Sequence, residues 1–84
     1  PKTIRILVWD KYVGLDNGYT TCLCGTKIYQ LNFECGHVIP HSKGGKITVD
    51  NLRPICGICN KSMGNIHFME FVNNLGIVYN TKED

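Results

Sequence analysis

Hydrophobic positions divide the chain into an amphipathic N-terminal segment, a central series of short apolar runs and a C-terminal apolar segment. From Ile4 to Tyr12 the apolar side chains recur with helical spacing, which predicts a helix over about residues 3–13. The alternation at Ile4-Arg5-Ile6 leaves a strand as the alternative. Residues 14–18, with Asp16-Asn17-Gly18 at their end, then indicate a turn.

The middle of the chain carries strand-like runs separated by turn-forming residues. Residues 27–31 and 33–39 predict two strands, and residues 47–49 predict the strand that returns from the intervening loop. That loop, residues 40–46, is rich in small and basic residues, so we expect it to be exposed. Asp50 is predicted to cap the turn that follows the return strand.

Residues after the last cysteine favour helix. We expect one helical segment from Cys59, interrupted near Gly64, and a second over residues 65–75 that Asn65 caps. The polar residues 80–84 are expected to fray. Helices and strands of these lengths predict one small α+β domain over residues 1–84.

Composition indicates a metal site and bears on the cellular compartment of the protein. The chain has 84 residues, a net charge of +2 and five cysteines. A domain of this size often depends on a metal or a disulfide. No segment has the pattern of a signal peptide, and the longest apolar run, residues 6–9, is too short for a bilayer. We therefore expect an intracellular protein, in the cytoplasm or nucleus, without a membrane partner.

The cysteines stand in two closely spaced pairs, Cys22 with Cys24 and Cys56 with Cys59. Residues i and i+2 of an extended segment share a face, and a two-residue gap lets a turn at a helix start present both sulfurs. The spacing thus predicts one tetrahedral structural Zn²⁺ ion whose loss unfolds the domain. Cys35 could replace one ligand of the first pair, and buried, unligated thiols are the alternative.

Several short motifs lie between and after these pairs. They are His37-Val-Ile-Pro40, Gly44-Gly45, Asp50-Asn51-Leu52 and Cys56-Gly-Ile-Cys59-Asn60-Lys61. In order and spacing they resemble the HNH endonuclease family, the zinc-bearing branch of the ββα-metal nucleases, over roughly residues 22–64. The chain is also similar to small HNH-type proteins of large DNA viruses. This resemblance implies a zinc-stabilised ββα-metal domain with flanking helices that hydrolyses phosphodiester bonds of DNA.

The resemblance also implies roles for individual residues. His37 would be the general base that deprotonates the attacking water, a task suited to a neutral imidazole near pH 7. Asn51 would hold the loop and orient His37. Asn60 would offer its side-chain oxygen to a catalytic divalent ion, Mg²⁺ or Mn²⁺.

Gly36 departs from the family pattern, in which the residue before the base is usually an aspartate or histidine that binds the catalytic metal. Asn60 alone would hold Mg²⁺ weakly, because hard cations favour charged oxygen ligands. Glu34 shares a strand face with position 36 and lies about 7 Å from it along the strand. We therefore expect Glu34 to supply a ligand, directly or through water, with His41 as a second candidate for a ligand or phosphate contact.

Five basic side chains are candidates for contacts with nucleic acid, and ordinary solvated surface groups are the alternative: His41, Lys43, Lys46, Arg53 and Lys61. Two functions remain open. The first is a metal-dependent nuclease, which the presence of His37, Asn51 and Asn60 favours. The second is a zinc-stabilised module that binds nucleic acid or a protein partner without cutting, which Gly36 favours. A homodimer remains open as well.

Overall fold

The computed structural model describes residues 2–77, which form a small α+β structure of three α-helices and two two-stranded antiparallel sheets. In chain order the elements are α1 (Lys2–Tyr12), β1 (Tyr19–Thr21), β2 (Lys27–Tyr29), β3 (Glu34–His37), β4 (Leu52–Ile55), α2 (Gly57–Met63) and α3 (Phe68–Asn74). The predicted frayed tail, residues 80–84, lies outside the described part of the chain. None of the helices within residues 2–77 has the length and apolarity needed to cross a membrane.

The N-terminal helix is confirmed. Helix α1 buries Val8 and Trp9 completely, and the Trp9 ring packs 4.9 Å from the ring of Phe33 between centroids. The indole Nε1 also donates to the Asn17 carbonyl at 2.8 Å, so its only polar atom is satisfied in the core. The helix ends near Gly14, whose positive φ of 112° continues the chain in another direction.

Strands β3 and β4 and helix α2 form a ββα unit, in which Glu34 pairs with Ile55 and His37 with Leu52. The strand predicted over residues 33–39 is confirmed over a shorter range, Glu34–His37. The return strand predicted at residues 47–49 is wrong: the chain there enters a 3-10 turn, Val49–Asn51, and the strand begins at Leu52. Contacts with α1 favour this turn, because the Tyr12 hydroxyl donates to the Val49 carbonyl at 3.3 Å.

The turn Val49–Asn51 also corrects the predicted role of Asp50. The N-cap of this turn is Thr48, and the Asp50 side chain pairs with the ammonium group of Lys11 on α1. This ion pair lowers the pKa of the Asp50 carboxyl and raises the pKa of the Lys11 ammonium. Both groups are exposed, so the pair contributes little to stability.

Strands β1 and β2 form a separate two-stranded ribbon, in which Tyr19 pairs with Tyr29 and Thr20 with Ile28. Strand β2 ends at Tyr29, earlier than predicted, because the Asn32 amide bonds back to the Tyr29 carbonyl at 2.8 Å. Strand β1 was not predicted. The ribbon buries Ile28 on its inner face, to 3 % exposure, and leaves the tyrosines on its outer face.

The two C-terminal helices are confirmed with corrected starts. Helix α2 begins at Gly57, where Cys56 acts as the N-cap, and it stops before Gly64. Helix α3 begins at Phe68, because the Nδ1 of His67 accepts from the Met69 amide at 3.1 Å. His67 is therefore the cap, and the prediction of Asn65 in that role is wrong.

The exposed loop after β3 is held by one very close backbone contact. A Cβ atom added at Gly45 would lie 1.7 Å from the Ile39 carbonyl oxygen and 2.9 Å from Nδ2 of Asn51. The Gly45 amide also donates to the Pro40 carbonyl at 3.0 Å. Only glycine fits between these groups, so the Gly-Gly motif serves the shape of the loop that follows His37.

We expect Gly45→Ala to lower the free energy of unfolding by at least about 2 kcal/mol, because the methyl group must displace backbone atoms. Urea unfolding followed by circular dichroism measures this change. Gly18→Ala is the matched control: no atom lies within 4 Å of a Cβ at that position, and its effect should stay within about 0.5 kcal/mol. Equal unfolding midpoints for the two variants would contradict the close contact.

Candidate active site and metal centre

Four cysteine sulfurs form a compact cluster between the β1–β2 turn and the start of α2. They belong to Cys22, Cys24, Cys56 and Cys59, and all lie within 4.8 Å of one another. The Cys24 and Cys56 sulfurs are 3.7 Å apart, close to the roughly 3.8 Å that two sulfurs adopt around a tetrahedral ion with metal–sulfur bonds of about 2.3 Å. The four residues thus fit a structural metal ion, and Cys35 lies outside the cluster.

Backbone donors around the cluster also fit a thiolate site. The Cys56 amide donates to the Cys22 sulfur at 3.2 Å, and the Cys59 amide donates to the Cys56 sulfur at 3.4 Å. Hydrogen bonds of this kind orient ligands around a metal. They also fix the geometry at the start of α2, where Cys56 is the N-cap.

The ionisation of these thiols differs with their surroundings. Burial raises the pKa of Cys22 and of Cys59, because the charged form loses hydration. A hydrogen bond with the Thr26 side chain, 3.1 Å from the exposed Cys24 sulfur, lowers the pKa of Cys24 to about 6. Without a cation the buried members of the cluster resist ionisation, so metal binding must be accompanied by proton release.

His37 lies at the end of β3 and lines a cleft of about 220 Å³ beside α1. Ile4, Arg5, Cys35 and Leu52 line the same cleft. The Nε2 atom of His37 is buried and has no hydrogen-bond partner among residues 2–77. Buried polar atoms are usually satisfied by protein, water or ligand, so this nitrogen is the first candidate for contact with a substrate or a water molecule.

Arg5 was not predicted as part of this cleft. Its guanidinium group donates to the Phe33 carbonyl at 2.8 Å and lies 4.3 Å from the centre of the Phe33 ring. The sequence places Arg5 in a helix without any motif around it, and only the packing of α1 beside β3 brings it to the His37 side.

Asn51 clamps the loop that follows His37. Its Oδ1 accepts from the Ile39 amide at 2.9 Å, and its Nδ2 donates to the carbonyls of Ile39 at 3.2 Å and Lys46 at 3.0 Å. The Asn51 carbonyl also accepts from the Val38 amide at 2.8 Å. Asn51 thus fixes both ends of the loop by contacts that no other residue type of its size can reproduce.

Glu34 and Asn60 meet on the α2 side of the ββα unit. The Nδ2 of Asn60 donates to Oε1 of Glu34 at 2.8 Å. The second carboxylate oxygen lies against Gly57, where an added Cβ would be 3.0 Å away. Glu34 and Asn60 thus place a carboxylate and an amide carbonyl close together in space. Mg²⁺ prefers oxygen ligands of this kind, and proteins usually hold it with one or two carboxylates while it keeps several waters.

Gly36 lies on the same strand face and has no space for a ligand. An added Cβ would be 2.5 Å from Cδ1 of Ile55 and 3.1 Å from Cε of Met63. Ile55 is 1 % exposed and belongs to the core. The volume in which a side chain at position 36 would begin is therefore filled by apolar atoms.

The predicted basic residues occupy different environments. His41, Lys43 and Lys46 are exposed on the loop after β3, and the rings of His37 and His41 are 6.5 Å apart between centroids. Lys61 is exposed on α2, next to Asn60.

Arg53 is the exception among the predicted phosphate contacts. It is only 4 % exposed, and its guanidinium group donates to the Tyr12 hydroxyl at 2.7 Å and packs 4.2 Å from the centre of that ring. Arg53 therefore joins α1 to β4, and its burial argues against a contact with phosphate.

A protein-family model described as HNH endonuclease matches residues 22–76, more than half of the chain. The chain belongs to the HNH endonuclease family. The match covers the four cysteines and the whole ββα unit, and it supports a nuclease-type function for this HNH domain. No curated protein and no solved structure gives a significant match.

The cysteine cluster makes a prediction about metal content. We expect Cys35→Ser to bind about one metal ion per chain and to unfold cooperatively, because Cys35 is not a ligand. Cys59→Ser should lose the ion and the fold together, since metal binding supplies folding free energy. Elemental analysis of purified protein and thermal circular dichroism measure both effects. Loss of the metal in Cys35→Ser, with retention in Cys59→Ser, would overturn the assignment.

Proposed function

We propose that this HNH domain is an endonuclease that hydrolyses phosphodiester bonds of DNA with the help of a divalent ion. The observation that carries the proposal is the buried Nε2 of His37 at the end of β3, which has no hydrogen-bond partner in the described part of the chain and lies beside a loop clamped by Asn51. Asn60 stands on the helix of the same ββα unit. These are the three positions that the family motifs associate with catalysis.

His37 is the proposed general base. An imidazole nitrogen to which no group of residues 2–77 is hydrogen-bonded can accept the proton of a water molecule as that water attacks phosphorus. Asn51 is the positioning residue: its hydrogen bonds to Ile39 and Lys46 hold the backbone that leaves His37. Such a clamp raises the rate of reaction by placing the base precisely relative to the phosphate.

Glu34 and Asn60 are the proposed ligands of the catalytic ion, Mg²⁺ or Mn²⁺. Asn60 Nδ2 already donates to one carboxylate oxygen, which leaves the Asn60 carbonyl and the remaining carboxylate lone pairs for a cation. When bound, this ion would stabilise charge on the scissile phosphate and on the leaving 3′ oxygen.

The structural ion is proposed to be Zn²⁺, because four cysteine thiolates are the donor set of closed, tetrahedral zinc sites. Its role is separate from catalysis, since all four positions of such a site are filled by protein. For the DNA interface we propose His41, Lys43, Lys46 and Lys61, which are exposed beside the His37 loop and on α2. Arg53 is left out because it is buried.

A module that binds nucleic acid or a protein without cutting is the second candidate. The close packing of Ile55 and Met63 against Gly36 favours this candidate. Position 36, where the family usually has a metal ligand, has no side chain here, and core atoms fill the space that a side chain would need. Whether one or two copies act together does not alter this choice. A single active site would nick one strand, and a homodimer could cut both.

A supercoiled-plasmid assay distinguishes the two candidates. Zinc-loaded protein is incubated with Mg²⁺, with Mn²⁺ and with neither ion. We expect ion-dependent nicking that His37→Ala reduces by about 100-fold or more, since removal of a general base has effects of this order. Glu34→Gln should also reduce it, whereas Glu70→Gln, the control on α3, should not. Absence of cleavage with every ion, by folded protein that still retards DNA on a gel, would favour the binding module.

Position 36 offers a second test. Gly36→Asp should lower the free energy of unfolding by about 1–3 kcal/mol through overpacking against Ile55. Ile55→Val removes the atom that a Cβ would meet at 2.5 Å, so the double variant should be more stable than the sum of the single changes predicts. If the aspartate joins Glu34 and Asn60, the double variant should also cleave at lower Mg²⁺ concentration. Additive effects on the urea midpoint would contradict the packing argument.

A further inference from the structure

The outer face of the β1–β2 ribbon carries two aromatic rings that the core does not use. Tyr19 and Tyr29 are paired across the strands, their ring centroids are 6.3 Å apart, and the residues are 56 % and 50 % exposed. The rings are tilted by 45° and do not stack face to face. Ile28 alone anchors the inner face of this strand at 3 % exposure. The tyrosines therefore present aromatic surface to whatever approaches the ribbon.

A cation accompanies the rings. Lys27 lies on the same face of β2 as Tyr29, and its Nζ is 4.5 Å from the centre of the Tyr19 ring. This position covers one face of Tyr19, whereas Tyr29 lines the adjoining groove and is the ring we assign to stacking. A lysine held by an exposed ring can move to a phosphate at small cost, because an exposed cation–π contact is weak.

Beside the ribbon is a groove of about 560 Å³, which lies between β2 and helix α2. Lys27 and Tyr29 line it from the ribbon, and Ile58 and Lys61 line it from α2. Ile58 is 76 % exposed, so apolar groups stand on both sides of the groove with a lysine beside each. Glu34, the proposed ion ligand, lines the same groove.

This combination suits a single strand better than a duplex. A duplex offers its phosphates and the edges of its bases, while the flat faces are stacked inside. Unpaired nucleotides offer apolar base faces and phosphates together, and proteins bind them with aromatic rings along a positively charged groove. A duplex backbone would leave the apolar faces of the exposed rings and the side chain of Ile58 without a matching surface.

We propose that the β1–β2 ribbon and the adjoining groove bind a single-stranded stretch of DNA, with a base stacked on Tyr29 and phosphates near Lys27 and Lys61. This inference about the substrate rests on the proposed nuclease function. Because Glu34 lines the same groove, the substrate would be DNA with unpaired nucleotides beside the scissile phosphate. The binding itself does not require cleavage and can be measured alone.

The test is fluorescence anisotropy with zinc-loaded protein in the absence of added Mg²⁺. The probes are a labelled oligodeoxythymidine of about 10 nucleotides, matched to the site of a small single-strand-binding surface, an abasic oligomer of the same length and a duplex. We expect the thymidine oligomer to bind about tenfold more tightly than the abasic one, since stacking of a single base contributes a factor of this order. Equal affinity for the two oligomers overturns the proposal without any variant.

Variants assign the stacking ring. Tyr29→Ala should weaken binding of the thymidine oligomer about tenfold, and Tyr29→Phe, which keeps the ring, should not. Leu31→Ala is the matched control, because Leu31 is 94 % exposed beside the ribbon and lies outside the groove. Metal content and circular dichroism verify the fold of each variant. An unchanged affinity in Tyr29→Ala would refute the assignment.

Two further outcomes separate this proposal from the nuclease. Plasmid nicking that depends on His37, without preference for single strands, would reject the ribbon and retain the enzyme. Preference for thymidine over abasic oligomers, without cleavage of duplex or single-stranded DNA under any ion, would retain the ribbon and reject the enzyme. If sedimentation shows a dimer that Tyr29→Ala converts to monomer, the outer face belongs to a second copy of the chain and the proposal is wrong.

Discussion

The four-cysteine cluster is the interaction on which the rest of the structure depends. It joins the turn after β1 to the start of α2 through residues such as Cys24 and Cys56, which are 32 positions apart. A two-stranded ribbon is marginally stable alone, and so is a helix as short as α2. An ion bound to the four cysteines would supply the free energy that neither element has, and it would fix both walls of the groove together with the start of the helix that carries Asn60.

The loop clamp acts at the other end of β3 and needs no metal. Asn51 holds both ends of the loop, Gly45 allows the backbone to approach Ile39, and the Phe68 amide donates to the Val38 carbonyl at 2.9 Å. His37 is the last residue of β3, directly before the residues that these contacts hold. The polar chemistry of the site is thus placed by backbone hydrogen bonds, which tolerate little displacement, and the apolar core beneath serves as their support.

What the sequence predicted well was set by local chemistry. The cysteine pairs and the amphipathic first helix follow from spacings of a few residues, and the role of Asn51 in the loop follows from the resemblance to the family. The sequence was less informative where distant residues decide the structure. Arg53 is basic and close to the motifs, but Tyr12, 41 positions away, removes it from the surface. The return strand starts late because α1 contacts the turn at Val49, and no local pattern records that packing.

Gly36 shows how one substitution in a family pattern changes the demands on its neighbours. Strand periodicity puts Glu34 on the face of position 36, and its hydrogen bond to Asn60 brings a carboxylate to the helix without using the volume that Ile55 fills. One carboxylate and one amide bind Mg²⁺ weakly, and Mg²⁺ sites of this kind are completed by substrate phosphates. In the proposed enzyme, ion and DNA would therefore bind cooperatively. Any surface that holds the strand near Glu34, such as the groove beside the ribbon, would then raise the affinity for the ion as well.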